Sequence, residues 1–266
     1  MDMTQIHVIE ENFLTYYKGI ARLLGGRYIE QDQVTWFTTG RRSLPRFNGV
    51  LRTVVSRADG LSRIVEPILD VFLPQNLPFF WVDWPVVGTP GLGDYLNSKE
   101  IAFMCFSMPA MSRALDDLPE LSLHRGVEIV RVQTPQEQVD WLNVLMEGFE
   151  EPEPARPDFR QYLANSIAEP QPVFEHFLAR WQGEPCAIST LLYSSQCAGI
   201  YHVTVLPAYR GRGLGQALTL AAMYPTQRAG YSTAILAATP SGFPLYQRLG
   251  FETVSTADLF AWNGSG

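Results

Sequence analysis

From Ile200 to Leu218 the chain reads Ile-Tyr-His-Val-Thr-Val-Leu-Pro-Ala-Tyr-Arg-Gly-Arg-Gly-Leu-Gly-Gln-Ala-Leu, a strand-like run entering a turn with three glycines and two arginines. Glycines let a backbone approach a ligand closely and take dihedrals closed to other residues. If a helix starts at Gly213, its first amides have no partner within the helix and sit at the positive end of its dipole, which suits an anion. The alternative is a glycine-rich turn that merely reverses direction, the reading a lone glycine motif would deserve. A dinucleotide fingerprint wants Gly-x-Gly-x-x-Gly and an acid about 20 residues on. Here the order is Gly211-x-Gly213-x-Gly215 and the next acid is Glu252. A P-loop would end in Gly-Lys-Ser/Thr, which is absent. From Pro185 to Phe251 there is no Asp or Glu, while Arg210, Arg212, Arg228 and Arg248 give that stretch +4 in a chain of net −7, leaving −11 elsewhere. Two readings remain: an apolar, buried part of the fold, or a site for a polyanion from which carboxylates are kept away. Charge alone does not separate them.

The elements that hold this turn are legible around it. Thr134-Pro-Gln-Glu137 has the form of a capping box with proline at the first helical position. Val139, Leu142, Leu145, Met146 and Phe149 follow at helical spacing. Prolines 152, 154 and 157 make a loop, and a short helix is expected over about 158–167. Strands are expected over 173–182, 185–194 and 198–206, joined by hairpins at Gln182-Gly-Glu184 and Ser194-Ser-Gln196. Then come a helix over 213–229 that must pass Pro225, a buried strand over 232–237, a short helix over 244–249 closed by Gly250, and a strand from Phe251. The first half is a fainter copy: strands at 34–38 and 49–57, a helix at 61–73, a strand at 79–84, a short helix at 92–99 and a strand at 101–107. Its tail repeats the order helix, strand, short helix, strand, so an internal duplication is expected, with the boundary in 116–126.

Length and composition fit this. The chain has 266 residues, 46% apolar, enough for two cores and too apolar for disorder. Cys105, Cys186 and Cys197 are odd in number and form no Cys-x-x-Cys pair, so neither a disulfide framework nor a metal site is expected, and the expected location is a reducing cytoplasm. The N-terminal residues lack a basic stretch leading into an apolar one, and no apolar run approaches the ~18 residues of a membrane span. An acidic chain, pI ≈ 5.1, disfavours general nucleic-acid binding.

Arg210-x-x-Gly213-x-Gly215, preceded by a strand ending Val205-Leu-Pro207, resembles the acyl-CoA signature of the GNAT superfamily of N-acyltransferases. Leu245-Tyr-Gln-Arg-Leu-Gly-Phe251 resembles that family's second hallmark, about 30 residues on with a strand between. The resemblance covers about 127–262, and the first half is similar to the degenerate domain of tandem members. It implies an α/β (α+β) fold of two GNAT-like domains, each a mixed, mostly antiparallel twisted sheet flanked by helices. Residues 1–120 would form a domain without cofactor motif and 127–266 the catalytic one. It further implies that the backbone of Val203, Thr204 and Val205 pairs with the pantetheine arm of acetyl-CoA. An amide there would polarise the thioester carbonyl. Amides of Arg210, Gly211, Arg212, Gly213, Leu214, Gly215 and Gln216 would hold the pyrophosphate, with charge from Arg212 and Arg210. Tyr246 matches the tyrosine that protonates the leaving thiolate. Leu96 falls where Tyr246 does when Glu100 is laid on Gly250, so the first half lacks this acid. No metal is implied.

The general base is not fixed by this resemblance. Members that carry it on the strand use positions matching Tyr201 and Gly199, neither a standard base. His202 is offset by one, and strand alternation turns it away from Tyr201 and Val203 unless a bulge intervenes, as this family often has here; otherwise it is a packed histidine. Glu147, Glu150 and Glu151 would rim the acceptor site or simply form an exposed acidic loop, and His176 takes no role. Trp36, Trp81 and Trp84 suit either an acceptor pocket or a core. The expected activity is acetyl transfer to a primary amine of a small-molecule acceptor, by a monomer or homodimer without nucleic-acid or membrane partner. A non-catalytic acyl-CoA-binding module, and acetylation of protein N-termini or lysines, stand as alternatives.

Overall fold

The computed structural model describes residues 3–55, 60–84, 89–99, 101 and 103–264. The end of the strand expected at 49–57 and the alignment anchor Glu100 lie outside them. The chain divides into two compact units: Met1–Ile6 with Phe13–Pro109 and Ser255–Gly266, and His7–Asn12 with Ala110–Val254. These units differ in their bounds from the expected domains 1–120 and 127–266. The terminal strand belongs with the first half, and the residues from Ala110 belong with the second.

The first unit contains most of α1 (Met3–Leu23), then β1 (Arg27–Glu30), β2 (Val34–Thr38), β3 (Asn48–Thr53), α2 (Leu61–Phe72), β4 (Phe79–Asp83) and α3 (Leu92–Asn97). Its strands run β1-β2-β3-β4 and are completed by β11 (Glu252–Trp262), all antiparallel except β3 with β4. Val65, Ile68 and Phe72 of α2 bury their apolar stripe on Val50, Phe79 and Trp81, joined by Leu92, Leu96, Phe260 and Trp262. Trp36 and Trp81 are part of this core, Trp36 edge-on to Phe72 and Trp81 donating its indole N–H to Thr53 Oγ1 at 3.0 Å, while Trp84 is buried edge-on to Phe13. Sequence reading missed α1 and β1, although Ile6, Ile9, Phe13, Tyr16 and Ile20, all buried, carry a helical spacing.

The second unit takes the end of β5 (Met104–Ala114), then β6 (Val127–Arg131), α4 (Pro135–Gly148), α5 (Arg156–Ala168), β7 (Phe174–Trp181), β8 (Glu184–Tyr193), β9 (Ala198–Val205), α6 (Leu214–Arg228), β10 (Thr233–Ala237) and α7 (Phe243–Arg248). Strand order is β5-β10-β9-β8-β7-β6, antiparallel except β9 with β10. The expected capping box starts α4: Glu137 N–H donates to Thr134 Oγ1 at 3.3 Å and Thr134 N–H donates to Glu137 Oε2 at 2.9 Å. Gln182 and Gly183 both have positive φ, 51° and 91°, the two-residue turn that matches strand twist in the β7–β8 hairpin. Leu214, Leu218 and Met223 of α6 cover one sheet face with Ala187, Leu191 and Ile200, and α4 and α5 cover the other. The helix runs through Pro225 for three more residues.

Candidate functional site: an open strand edge above a glycine turn

The parallel ladder between β9 and β10 holds only Ala198↔Ala234 and Gly199↔Ile235. β9 continues to Val205, so among the described residues its edge from Ile200 onward has no strand beside it on that side. A strand edge with unpaired amides and carbonyls accepts an extended, amide-bearing ligand as if it were another strand. Val203, Thr204 and Val205 lie on that edge. Val203 and Val205 are half-buried on the α6 side, while Thr204 is buried under Gly148 of α4.

The edge leads into the predicted turn. Gly211 and Gly213 have φ of 75° and 74°, left-handed values that disfavour any residue with a Cβ. Gly213 is the N-cap of α6, with no side chain capping it. The first helical bond is Ala217 N–H to Gly213 O at 3.0 Å, so the amides of Leu214, Gly215 and Gln216 precede the helical ladder. Leu214 is buried and anchors the turn, and Gln216 is exposed. Both arginines are held in place. Arg210 Nε donates to Val205 O at 3.0 Å, and the Arg212 guanidinium lies over Trp181 and Tyr209, at 4.8 and 5.6 Å from the ring centres. A pocket beside this turn is lined by Glu120, Ser122, His124, Arg212, Gly213 and Gln216, a carboxylate among them. Sequence reading missed His124, because the loop that delivers it precedes β6 and carries no motif.

Tyr246 sits on α7, 7% exposed and edge-on to Phe251 at 6.0 Å. Burial pushes its hydroxyl up to about 12, so it keeps its proton across the working pH range. The two motifs meet through packing: a Cβ on Gly215 would stand 3.0 Å from Leu245 Cδ2, so the first turn of α6 fits closely against α7 only without a side chain there.

On the face covered by α4 and α5, β9 carries a bulge. Ile188 pairs with Thr204 and Thr190 with Tyr201, leaving His202 and Val203 opposite Ser189 alone. His202 takes φ 51°. The expected alternation fails here: Tyr201 is Thr190's cross-strand partner, and the bulged His202 also turns onto that face, its Nδ1 3.2 Å from Thr190 Oγ1. Trp141, Tyr162 and Phe149 wall its ring at 5.8, 6.0 and 6.5 Å. Behind it lies His176, 1% exposed, with Nδ1 3.0 Å from Thr190 Oγ1 and Nε2 2.8 Å from Ser166 Oγ. Burial first, then the charges of His202 and Arg131, pushes His176 down to about 3, so it is neutral. At the two strand positions expected to match a base, Tyr201 donates to Asn12 Oδ1 at 2.8 Å, and a Cβ on Gly199 would collide with Asn12 and the Tyr201 ring. Glu147 and Glu150 are exposed and Glu151 is half-buried. Among the described residues, no group of three or more His, Cys, Asp or Glu could hold a metal, and no helix is long and apolar enough to cross a membrane.

Residues 172–253 match the acetyltransferase (GNAT) domain family. Among solved structures, a GCN5-related N-acetyltransferase from Kribbella flavida superposes with TM-score 0.71 at 18% identity, covering 95% of this chain and 96% of its own. A functionally unknown conserved protein from Staphylococcus epidermidis gives 0.70 at 16% identity, covering 91% and 96%. A tandem GNAT protein from the clavulanic acid biosynthesis pathway gives 0.59 at 14% identity, covering 88% and 79%. Among curated proteins, none matches. The resemblance to GNAT proteins and the expected fold class are borne out: the domain is found where both motifs lie, and the GNAT fold, tandem members included, extends over both halves.

Proposed function

We propose that the second unit transfers an acetyl group from acetyl-CoA to a primary amine, with a small molecule as acceptor. The reading fits an acyl-CoA-dependent N-acetyltransferase, the activity typical of this domain. The observation that carries it is the open edge of β9 running straight into a turn whose helix-start amides are unpaired. The residues suit the donor: an amide-bearing pantetheine arm matches the edge at Val203–Val205, and pyrophosphate matches the amides of Leu214, Gly215 and Gln216, with Arg210 and Arg212 supplying charge. The donor contributes an activated acyl thioester. An amide on the edge would polarise its carbonyl, and Tyr246 would give its proton to the departing sulfur. The same burial that weakens the phenol as an acid also disfavours a bare thiolate, so the transfer remains matched. We further read the protein as acting in the cytoplasm, as a monomer or homodimer, without metal, nucleic-acid or membrane partner.

Calorimetric titration with acetyl-CoA tests the site, and a panel of primary amines tests the transfer. One site per chain and acetylation of at least one amine are expected. Two sites of similar affinity would refute the assignment to one unit. Tight binding with no transfer to any small amine, N-terminal peptide or lysine peptide would mark a binding module instead.

A further inference from the structure

Resting on that donor reading, we propose that the stretch joining the two halves, residues 115–126, is part of the donor site, and that its His124, with Arg212, takes the phosphate on the ribose 3′ carbon of acetyl-CoA. The stretch lies along α6 and runs against it. Gln227, near the C-terminal end of α6, donates its side-chain amide to Leu115 O. Tyr224, a turn earlier, donates its hydroxyl to Pro119 O at 2.8 Å. Leu118 and Leu121 pack against the core to which α6 contributes. Ser122, Leu123 and His124 then reach the start of α6, and a turn closed by Val127 N–H on His124 O, 3.0 Å, leads into β6. His124 Nε2 ends 3.9 Å from where a Cβ on Gly213 would stand. Its ring lies 6.3 Å from the Trp181 ring, over which the Arg212 guanidinium also lies, at 4.8 Å. One tryptophan thus neighbours both an imidazole and a guanidinium beside the glycine turn.

The pocket between this strap and α6 has the chemistry of a nucleoside phosphate. It extends from Gly213 to Leu220, about two turns along the helix. Leu123, Val127, Ala217 and Leu220 give it an apolar lining that suits the face of a flat ring. Arg212 and His124 offer N–H donors to a phosphate. Glu120 argues against a bare polyanion as the occupant: a carboxylate repels phosphate but accepts hydrogens from hydroxyl or amino groups. A nucleoside phosphate carries all three kinds of group. In acetyl-CoA the ribose is bonded directly to the pyrophosphate. With that pyrophosphate on the amides of Leu214, Gly215 and Gln216, the 3′-phosphate lies within one sugar of the turn, where this pocket opens. His124 and Arg212 touch the donor in this arrangement, and Tyr224, which acts through the strap, is a positioning residue.

Calorimetry with two donors decides: acetyl-CoA and S-acetyl-3′-dephospho-CoA share every group but that phosphate. The wild type should bind acetyl-CoA about ten- to a hundredfold more tightly, the span of a hydrogen bond to a charged group. His124→Ala should lose most of that preference through weaker binding of acetyl-CoA, with the dephospho donor bound as before. Equal affinities in the wild type overturn the proposal. So does a His124→Ala that weakens both donors alike, which would put the imidazole on the shared pyrophosphate, or one that weakens neither. Tyr224→Phe releases Pro119 O, and Tyr224 is not a lining residue. It should lower the ratio of the two affinities and leave the dephospho donor unaffected, an effect that general loosening of the fold would not have. An unchanged ratio there overturns the part given to the strap. A wild type that binds both donors equally leaves the donor reading standing without this site, whereas one that binds neither refutes the donor reading and the site together.

Discussion

The two units carry the same seam and treat it differently. In each, a parallel pair is held by only two residue pairs: Gly49↔Phe80 and Val50↔Trp81 in the first, Ala198↔Ala234 and Gly199↔Ile235 in the second. Beyond those pairs the first unit satisfies its strand from within. Trp84 donates its indole N–H to Leu51 O at 3.1 Å, and the Thr89 hydroxyl donates to Thr53 O at 2.7 Å. In the second unit the corresponding edge has no strand beside it beyond Gly199 among the described residues, and the side chain that reaches back to it at Val205 O, Arg210, is itself a candidate for phosphate. The short helices differ in the same sense. Leu96 and Tyr246 share one burial pattern, half-buried before and exposed for two residues after, but only Tyr246 has a proton to give. A duplicated fold has thus been closed in one copy and left open in the other. The closing groups are ordinary core residues, so loss of a site here reads as a gain in packing.

Tyr246→Phe tests that comparison most severely. Turnover should drop about 10²- to 10⁴-fold with little change in the Michaelis constant for acetyl-CoA, because the lost proton matters in the transition state. Tyr95→Phe, at the neighbouring position of the first unit, should leave turnover unchanged; steady-state kinetics on both variants decides. Gly213→Val comes next. A β-branched residue at φ 74° meets little steric obstruction, His124 Nε2 being 3.9 Å from its Cβ, but cannot hold the turn. Acetyl-CoA affinity should fall at least tenfold, about 1.4 kcal/mol, by calorimetry, in a chain that still folds.

Trp84→Phe uncovers Leu51 O in the closed seam. It should cost roughly 1–3 kcal/mol in urea unfolding without creating a second acetyl-CoA site. The smallest effect is electrostatic and opposite in sign in the two units. In the first, Asp83 lies directly across from Asp258; burial, then that charge, raises it to about 6. The folded form therefore holds its proton above the unfolded value near 4, and this group's contribution to stability falls as pH rises from about 4 to 6. Asp83→Asn should flatten that slope and add roughly 1 kcal/mol at pH 7, a modest gain because solvent screens this partly exposed group. In the second unit His176 titrates at about 3 folded against ~6.5 unfolded, so its contribution is lost as pH falls below 6.5. Unfolding midpoints across pH 4–7, with and without Asp83→Asn, separate the two slopes.

What could be read from the sequence was local. The capping box at Thr134, the glycine turn at Gln182-Gly183, the helix start at Gly213 and the burial of Tyr246 each depend on residues within a few positions of one another. What could not be read was long-range. Nothing near His202 announces that β9 spends one extra residue against Ser189, which alone reverses the alternation, and Thr190, His176 and Ser166 become a chain only once three elements pack. Likewise the glycine at 199 is explained by Asn12, 187 residues earlier in the chain.

The placement of Ser255–Gly266 with the first half sets an order of events during synthesis. Trp81 and Phe80 of β4 wait for Phe260 and Ala261, which leave the ribosome after all of Ala110–Val254. The half made first therefore cannot finish first: its β4 edge stays available to any passing strand until Phe260 and Ala261 emerge, while Ala110–Val254 can already close upon itself. For such a chain, slow emergence of Ser255–Gly266 is a hazard of aggregation, and a stop codon placed just before Ser255 would cripple the half whose other strands were made long before.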